Sequence, residues 1–113
     1  AKVEIDLENM KTTNLRVIAA VAHGSVPGAE SSMLKIRGTE IRQEILSLIR
    51  RAMGPYALPF IEAAQYEGYA DAPVGPKEAA TAAANYFNYR KLSIFGGSNE
   101  IQKNIISKMI LGL

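Results

Sequence analysis

Phe95-Gly-Gly-Ser-Asn-Glu-Ile-Gln-Lys-Asn-Ile-Ile-Ser-Lys-Met-Ile-Leu-Gly-Leu113 is the stretch from which the rest of the chain can be read. Two consecutive glycines, Gly96 and Gly97, let the backbone turn sharply and come close to a neighbour. Ser98 follows as a residue whose hydroxyl suits a helix cap, and Glu100 falls in the first turn, where the positive end of the helix dipole favours a carboxylate. Beyond it Ile101, Ile105 and Met109 recur four apart as one apolar stripe, with Ile106 and Ile110 beside it. Gly112 closes the segment. The pattern predicts an amphipathic helix with a capped, glycine-flanked start.

Upstream, the clearest periodicity belongs to Leu34, Gly38, Ile41, Ile45, Leu48 and Ala52, which alternate four and three apart. That spacing predicts a helix with a narrow seam for a neighbouring helix, and Gly38 inside the seam predicts a close approach there. Gly54-Pro55 ends it. Nearer the amino end, Val3, Leu7, Met10, Leu15, Ile18 and Val21 line one side of a first helix, which His23-Gly24 stops. Pro27 is expected in the first turn of the following helix, with Glu30 near its positive end.

Between Pro55 and Pro76, Tyr56, Tyr66 and Tyr69 with several Gly and Pro predict an extended connection, with a short helical turn over residues 59–65. Such a connection suits covering another domain or partner. Pro76-Lys77-Glu78 opens a further helix that runs through the alanine-rich stretch 79–84 and past Tyr86, Phe87 and Tyr89 to about Leu92. The expected fold class is all-α, a four-helix up-down bundle forming one domain over residues 1–113.

The 113 residues, 48% of them hydrophobic, suffice for one modest core. There is no cysteine, which excludes disulfides and thiolate metal sites and fits a reducing, cytoplasmic setting. No apolar run approaches the roughly 18 residues that cross a bilayer. Thirteen basic against eleven acidic residues leave a net charge of +2, and the basic pairs Arg50-Arg51 and Arg90-Lys91 are isolated, so neither a membrane nor a nucleic acid is expected as a partner. The first residue is Ala1, not Met, so the chain is expected to be a processed or truncated piece of a longer protein. Self-association is expected as well, because the seam from Leu34 to Ala52 and the stripe from Ile101 to Met109 offer more apolar surface than four short helices cover.

Few residue types here can carry chemistry. His23 is the sole histidine, so a Ser-His-Asp or Cys-His centre has little to stand on, and the dipole at a helix carboxyl end accounts for a histidine at that place. Metal binding is left to carboxylates, and no Glu-x-x-His pair or calcium loop is present. The turn at residues 93–102 stands apart, because glycines there precede the exposed N–H groups of a helix start, which attract anions. A plain flexible turn between packed helices explains the same residues.

The segment Tyr86-Phe-Asn-Tyr-Arg-Lys-Leu-Ser-Ile-Phe-Gly-Gly-Ser-Asn-Glu-Ile-Gln-Lys-Asn-Ile-Ile-Ser-Lys-Met-Ile-Leu-Gly-Leu113 resembles the closing stretch of acyl-CoA dehydrogenases, especially bacterial enzymes acting on steroid side chains or on dicarboxylic, pimeloyl-CoA-type acyl chains. Pro27-Gly-Ala-Glu-Ser-Ser-Met-Leu-Lys35 and Ala52-Met-Gly-Pro55 extend the resemblance more loosely over most of the chain. It implies a three-domain protein with an amino-terminal helical domain, a middle β-barrel and a carboxy-terminal four-helix domain, of which this chain is the last. It also implies FAD lying between domains and across a subunit interface, an acyl-CoA substrate, an electron-transfer flavoprotein as redox partner, and a homo- or hetero-tetramer built as a dimer of dimers.

By the same resemblance, Ser98 and Glu100 stand where the family contacts the adenosine and pyrophosphate of the flavin, and Gly97 permits the approach. An ordinary cap is the plainer role for Ser98, and both roles are compatible. Arg51, three residues before Gly54, stands where many members carry a glutamine that reaches the neighbouring subunit's dinucleotide; a solvated arginine is the plainer reading. The family's reaction removes an α proton with a carboxylate while hydride leaves the β carbon for the flavin. Many members place that glutamate directly after the aromatic residue of this turn, here Phe95, but this sequence has Gly96, which supplies no base. The glutamate then lies on an earlier helix outside this chain, or the chain is the base-lacking subunit of a mixed oligomer.

Overall fold

The computed structural model describes residues 1–66, 68, 71 and 74–113. Tyr69 of the predicted connection lies outside the described residues. Among them are four α-helices and no strand: α1 (Lys2–Ala22), α2 (Glu30–Met53), α3 (Ala82–Asn88) and α4 (Asn99–Leu111). The chain divides into two compact units, one made of Ala1–Arg42 with Lys91–Leu113, the other of Gln43–Arg90.

Helix ends follow the local signals. The backbone of α1 stops at Ala22, with His23 as its cap and Gly24 at φ +88. At the far end of α2, Gly54 takes φ +56 and Pro55 sits in a short 3₁₀ turn, Gly54–Ala57, so the predicted stop is where the glycine and proline put it. Pro27 corrects one expectation: α2 begins three residues later, at Glu30, so the proline belongs to the loop and Glu30 alone occupies the positive helix end.

In the first unit α1 and α4 lie against the opening half of α2. Arg37 of α2 donates to Asp6 of α1 at 3.1 Å and to Glu40 at 2.7 Å. Arg37 and Glu40 are exposed and Asp6 half-buried, so each pair contributes at most about 1 kcal/mol. The residues of α1 that withdraw from solvent are Val3, Asp6, Met10, Thr13 and Val17, spaced three and four apart. Leu7, Leu15, Ile18 and Val21, expected on that stripe, remain exposed. The helical period was legible but its phase was not, because apolar residues occupy two adjacent stripes and, of those expected to pack, only Val3 and Met10 fall on the withdrawn one, where Val17 joins them.

The expected seam of α2 is met over its first part, with Ile41 buried and Leu34, Gly38 and Ile45 half-buried, whereas Leu48 and Ala52 are exposed. A second line beside it is withdrawn as well: Ser32, Ile36, Thr39 and Leu46 are buried, and Gln43 and Arg50 half-buried. Thr39 fits a buried stripe because its hydroxyl donates to the Lys35 carbonyl one turn earlier. Gly38 does face a neighbour, although the neighbour is the Met10 side chain. A methyl group there would meet its sulfur at 3.5 Å, an ordinary contact. Gly38→Ala is therefore expected to raise stability by about 0.5–1 kcal/mol in urea unfolding, the backbone entropy that glycine forfeits in a helix.

The second unit packs alanine. Ala57, Ala79, Ala80, Ala82 and Ala83 are buried, as is Leu46 of α2. The helix predicted from Pro76 to Leu92 is broken into a 3₁₀ turn (Lys77–Thr81), the seven-residue α3, and a second 3₁₀ turn (Tyr89–Ser93). A run of methyl side chains buried on several sides has no apolar stripe to impose a 3.6-residue register, so tertiary packing selects the tighter turn. The turn predicted over 59–65 narrows to a 3₁₀ turn at Glu62–Gln65. Gln43 donates its amide to the Tyr89 and Arg90 carbonyls at 3.4 and 3.2 Å, tying α2 to the end of that segment.

Candidate functional site

The turn before α4 is built around two consecutive glycines in left-handed backbone. Lys91 carbonyl accepts from the Ile94 and Phe95 N–H groups at 2.9 and 3.1 Å, which closes the preceding 3₁₀ turn. Gly96 and Gly97 then take φ +69 and +84, both in the left-handed region. Ser98 swings back to extended geometry, φ −61 and ψ 160, and caps α4. Its Oγ accepts from the Ile101 N–H at 3.3 Å and its carbonyl accepts from the Gln102 N–H at 3.0 Å. Gln102 reaches back along the turn and donates from Nε2 to the Gly96 carbonyl at 3.3 Å.

Glu100 lies in this first turn, fully exposed, and its carboxyl is held below its ordinary value of 4.5. The largest cause is a hydrogen bond from its own backbone N–H, followed by one from the Ser98 hydroxyl, with weaker attraction from Lys103 and Lys35. The Ser98 hydroxyl thus donates to Glu100 while its oxygen accepts from Ile101. Because the folded-state value is lowered, the stabilisation is complete above pH 4.5 and is lost as pH falls through the folded value below it. Glu100→Gln is expected to remove this acid-side component: the gap in urea midpoint between the two proteins stays constant down to pH 4.5 and closes below it. Ser98→Ala is expected to cost about 1 kcal/mol in the same measurement, the usual loss of a cap.

One long-range contact fixes the turn. Lys35 of α2 donates from Nζ to the Asn99 side-chain oxygen at 3.0 Å, and both residues are half-buried. Neither Lys35 nor Gln102 was marked from sequence as a site residue, and only the folded chain brings Lys35 to this place.

The structure therefore gathers Gly96, Gly97, Ser98 and Glu100 in one turn of the first unit. Arg51 and Gly54 lie in the second unit, at the carboxyl end of α2, where Arg51 is exposed in the last turn. Its neighbour Arg50 is the more engaged: the guanidinium lies 4.8 Å from the Tyr86 ring centre, Arg90 approaches the same ring at 5.5 Å, and Arg50 Nε is buried without a hydrogen-bond partner. The adjacency of two arginines in the sequence hid which one faces inward. The predicted apolar stripe of α4 also shifts, since Gln102, Ile106 and Ser107 are half-buried while Ile101 and Met109 are exposed. The polar Gln102 joins the packed face because its amide is engaged by Gly96.

Among the described residues no group of three or more histidine, aspartate or glutamate side chains is placed to hold a metal ion, and no helix is long and apolar enough to cross a membrane. Gly96 has nothing within 4 Å of where a side chain would begin, whereas at Gly97 that atom would lie 2.5 Å from Gln102 Nε2. The turn is thus a cradle open at Gly96, crossed by the Gln102 amide at Gly97, and rimmed by a hydroxyl, a carboxylate and the start of a helix. No curated protein and no solved structure matches the chain. The sequence model of one family does, over residues 1–111: "Acyl-CoA dehydrogenase, C-terminal domain".

Proposed function

The chain belongs to the acyl-CoA dehydrogenase family, as its C-terminal helical domain, and from that premise we propose that it is one part of a three-domain, FAD-dependent enzyme that desaturates an acyl-CoA thioester at its α and β carbons. Its contribution is to hold cofactor and to join subunits. The observation that carries this reading is the cradle at residues 96–100, where two glycines at positive φ open a capped helix start. Backbone without side chains and a helix amino end suit the approach of a phosphate, and the Ser98 hydroxyl and Glu100 carboxylate suit ribose and adenine donors. Arg51 and Gly54 would meet the neighbouring subunit's dinucleotide, the guanidinium pairing with phosphate.

Bound FAD supplies the hydride acceptor for the β carbon, to be reoxidised by an electron-transfer flavoprotein. The α proton requires a base, and this chain's turn does not offer one. Gly96 has no side chain, and the Glu100 carboxylate is engaged by its own N–H and by Ser98, which keeps it ionised on the cofactor side. The family resemblance leaves two places for the base, an earlier helix outside this chain or another subunit of a mixed oligomer. Exposed Leu15, Ile18, Ile101 and Met109 support a second role as contacts within a tetramer, a dimer of dimers. The lack of cysteine suits a cytoplasmic enzyme.

The test is purification of the full-length protein. It is expected to emerge yellow, to release FAD on denaturation and to reduce the flavin when given an acyl-CoA. A full-length protein that stays colourless when refolded with excess FAD overturns the reading. Gly96 favours one alternative, a non-catalytic partner subunit or helical scaffold of a mixed oligomer. That reading predicts bleaching by acyl-CoA only after a second, glutamate-bearing subunit is added.

A further inference from the structure

We infer that Lys35 is a positioning residue for the cofactor cradle: through Asn99 it fixes the turn at residues 96–100 against α2, so that the cradle is formed before any ligand arrives. This deepens the proposed function and rests on it only for the identity of the ligand. The Lys35 ammonium and the Asn99 amide are 64 residues apart in sequence, half-buried, and joined at 3.0 Å. Asn99 is the first residue of α4, directly after the Ser98 cap, so the bond acts where the helix leaves the two glycines. Glycine backbone is freer than that of any other residue, and nothing lies within 4 Å of where a side chain would begin at Gly96. The Gln102 bond to the Gly96 carbonyl ties the turn to its own helix, and the Lys35 bond ties it to α2.

Lysine suits this place for a second reason. Among the described residues Lys35 forms no ion pair, and its partner is a neutral amide, so its charge is not cancelled by a carboxylate in contact. It is felt instead by Glu100 in the adjoining turn. A half-buried cation kept beside the opening of a helix adds to the positive end of the dipole that an anionic ligand meets.

The experiment uses the full-length protein and reads two quantities, amide exchange across residues 97–101 and the dissociation constant for FAD. Lys35→Met and Asn99→Ala are each expected to speed exchange in that segment about ten-fold, the scale of one hydrogen bond to a charged group. Exchange in α1 and in the rest of α2 should hold steady, which a general loss of structure would not allow. FAD binding should weaken by a similar factor. The double variant should be no worse than either single one, because both remove the same link. Lys35→Arg, which keeps a cationic donor, should recover most of both readouts. Unchanged exchange at 97–101 in Lys35→Met, or effects of the two substitutions that simply add, overturns the inference. If exchange responds as stated in a protein whose wild-type form takes up no FAD, the Lys35 link stands and the flavin reading is what falls.

Discussion

Gly97→Ala is expected to lower stability by about 2–3 kcal/mol and to strip the cradle of its ability to hold a ligand, while Gly96→Ala costs about 1 kcal/mol less. Both glycines sit at positive φ, +69 and +84, where an L side chain costs roughly 1–2 kcal/mol. They differ in what the added methyl group meets. At Gly96 it enters open space; at Gly97 it would lie 2.5 Å from Gln102 Nε2. The Gln102 side chain must then swing away and give up its bond to the Gly96 carbonyl, a further loss of about 0.5–1.5 kcal/mol. Paired urea unfolding of the two variants measures the difference directly. Equal losses at the two positions would show that Gln102 does not brace the turn.

Gly75→Ala should be the more damaging change, costing about 2–5 kcal/mol through a clash made within the second unit. Gly75 has φ +89, and a methyl group there would lie 2.5 Å from two atoms of the Tyr56 ring and 3.0 Å from a third. An aromatic ring next to its own backbone attachment cannot flex aside as the tip of a long chain can. The overpacking term, about 1–3 kcal/mol, therefore adds to the dihedral strain. Tyr56→Ala combined with Gly75→Ala separates the two, since it removes the obstruction and leaves the strain. A double variant that recovers none of the Gly75→Ala loss would mean that the ring was not the obstacle. The Glu100 carboxyl, in the first unit, should titrate as before in both variants.

What could be read ahead of the structure was mostly local. Ser98 as a cap, Gly54-Pro55 as a stop and Gly24 after His23 each obey a rule that involves only a few neighbouring residues, and each is found where expected. The family resemblance of the closing segment is also a property of contiguous sequence, and the match over residues 1–111 agrees with it. Phase was harder. In α1 and α4 the period was visible, but which of two neighbouring apolar stripes turns inward depends on the packing partner, whereas the expected line of α2 is met at Ile41 and at Gly38, which faces Met10. The alanine-rich stretch had no phase to read, and there the predicted single helix gave way to short turns. Within the cradle Ser98 and Glu100 were legible from their neighbours, whereas Lys35 depends on a contact across 64 positions.

Helix α2 contributes its first half to one unit and its second half to the other, dividing between Arg42 and Gln43 without interruption. Its backbone ladder crosses that boundary, so if either half melted, the surviving half would be left with a raw end and up to four unpaired carbonyl or N–H groups. Starting a helix anew is also far less favourable than extending one. The two units are thereby expected to melt as a single cooperative event, with one transition in calorimetry. Damage at Gly75 would then lower the shared transition without splitting it.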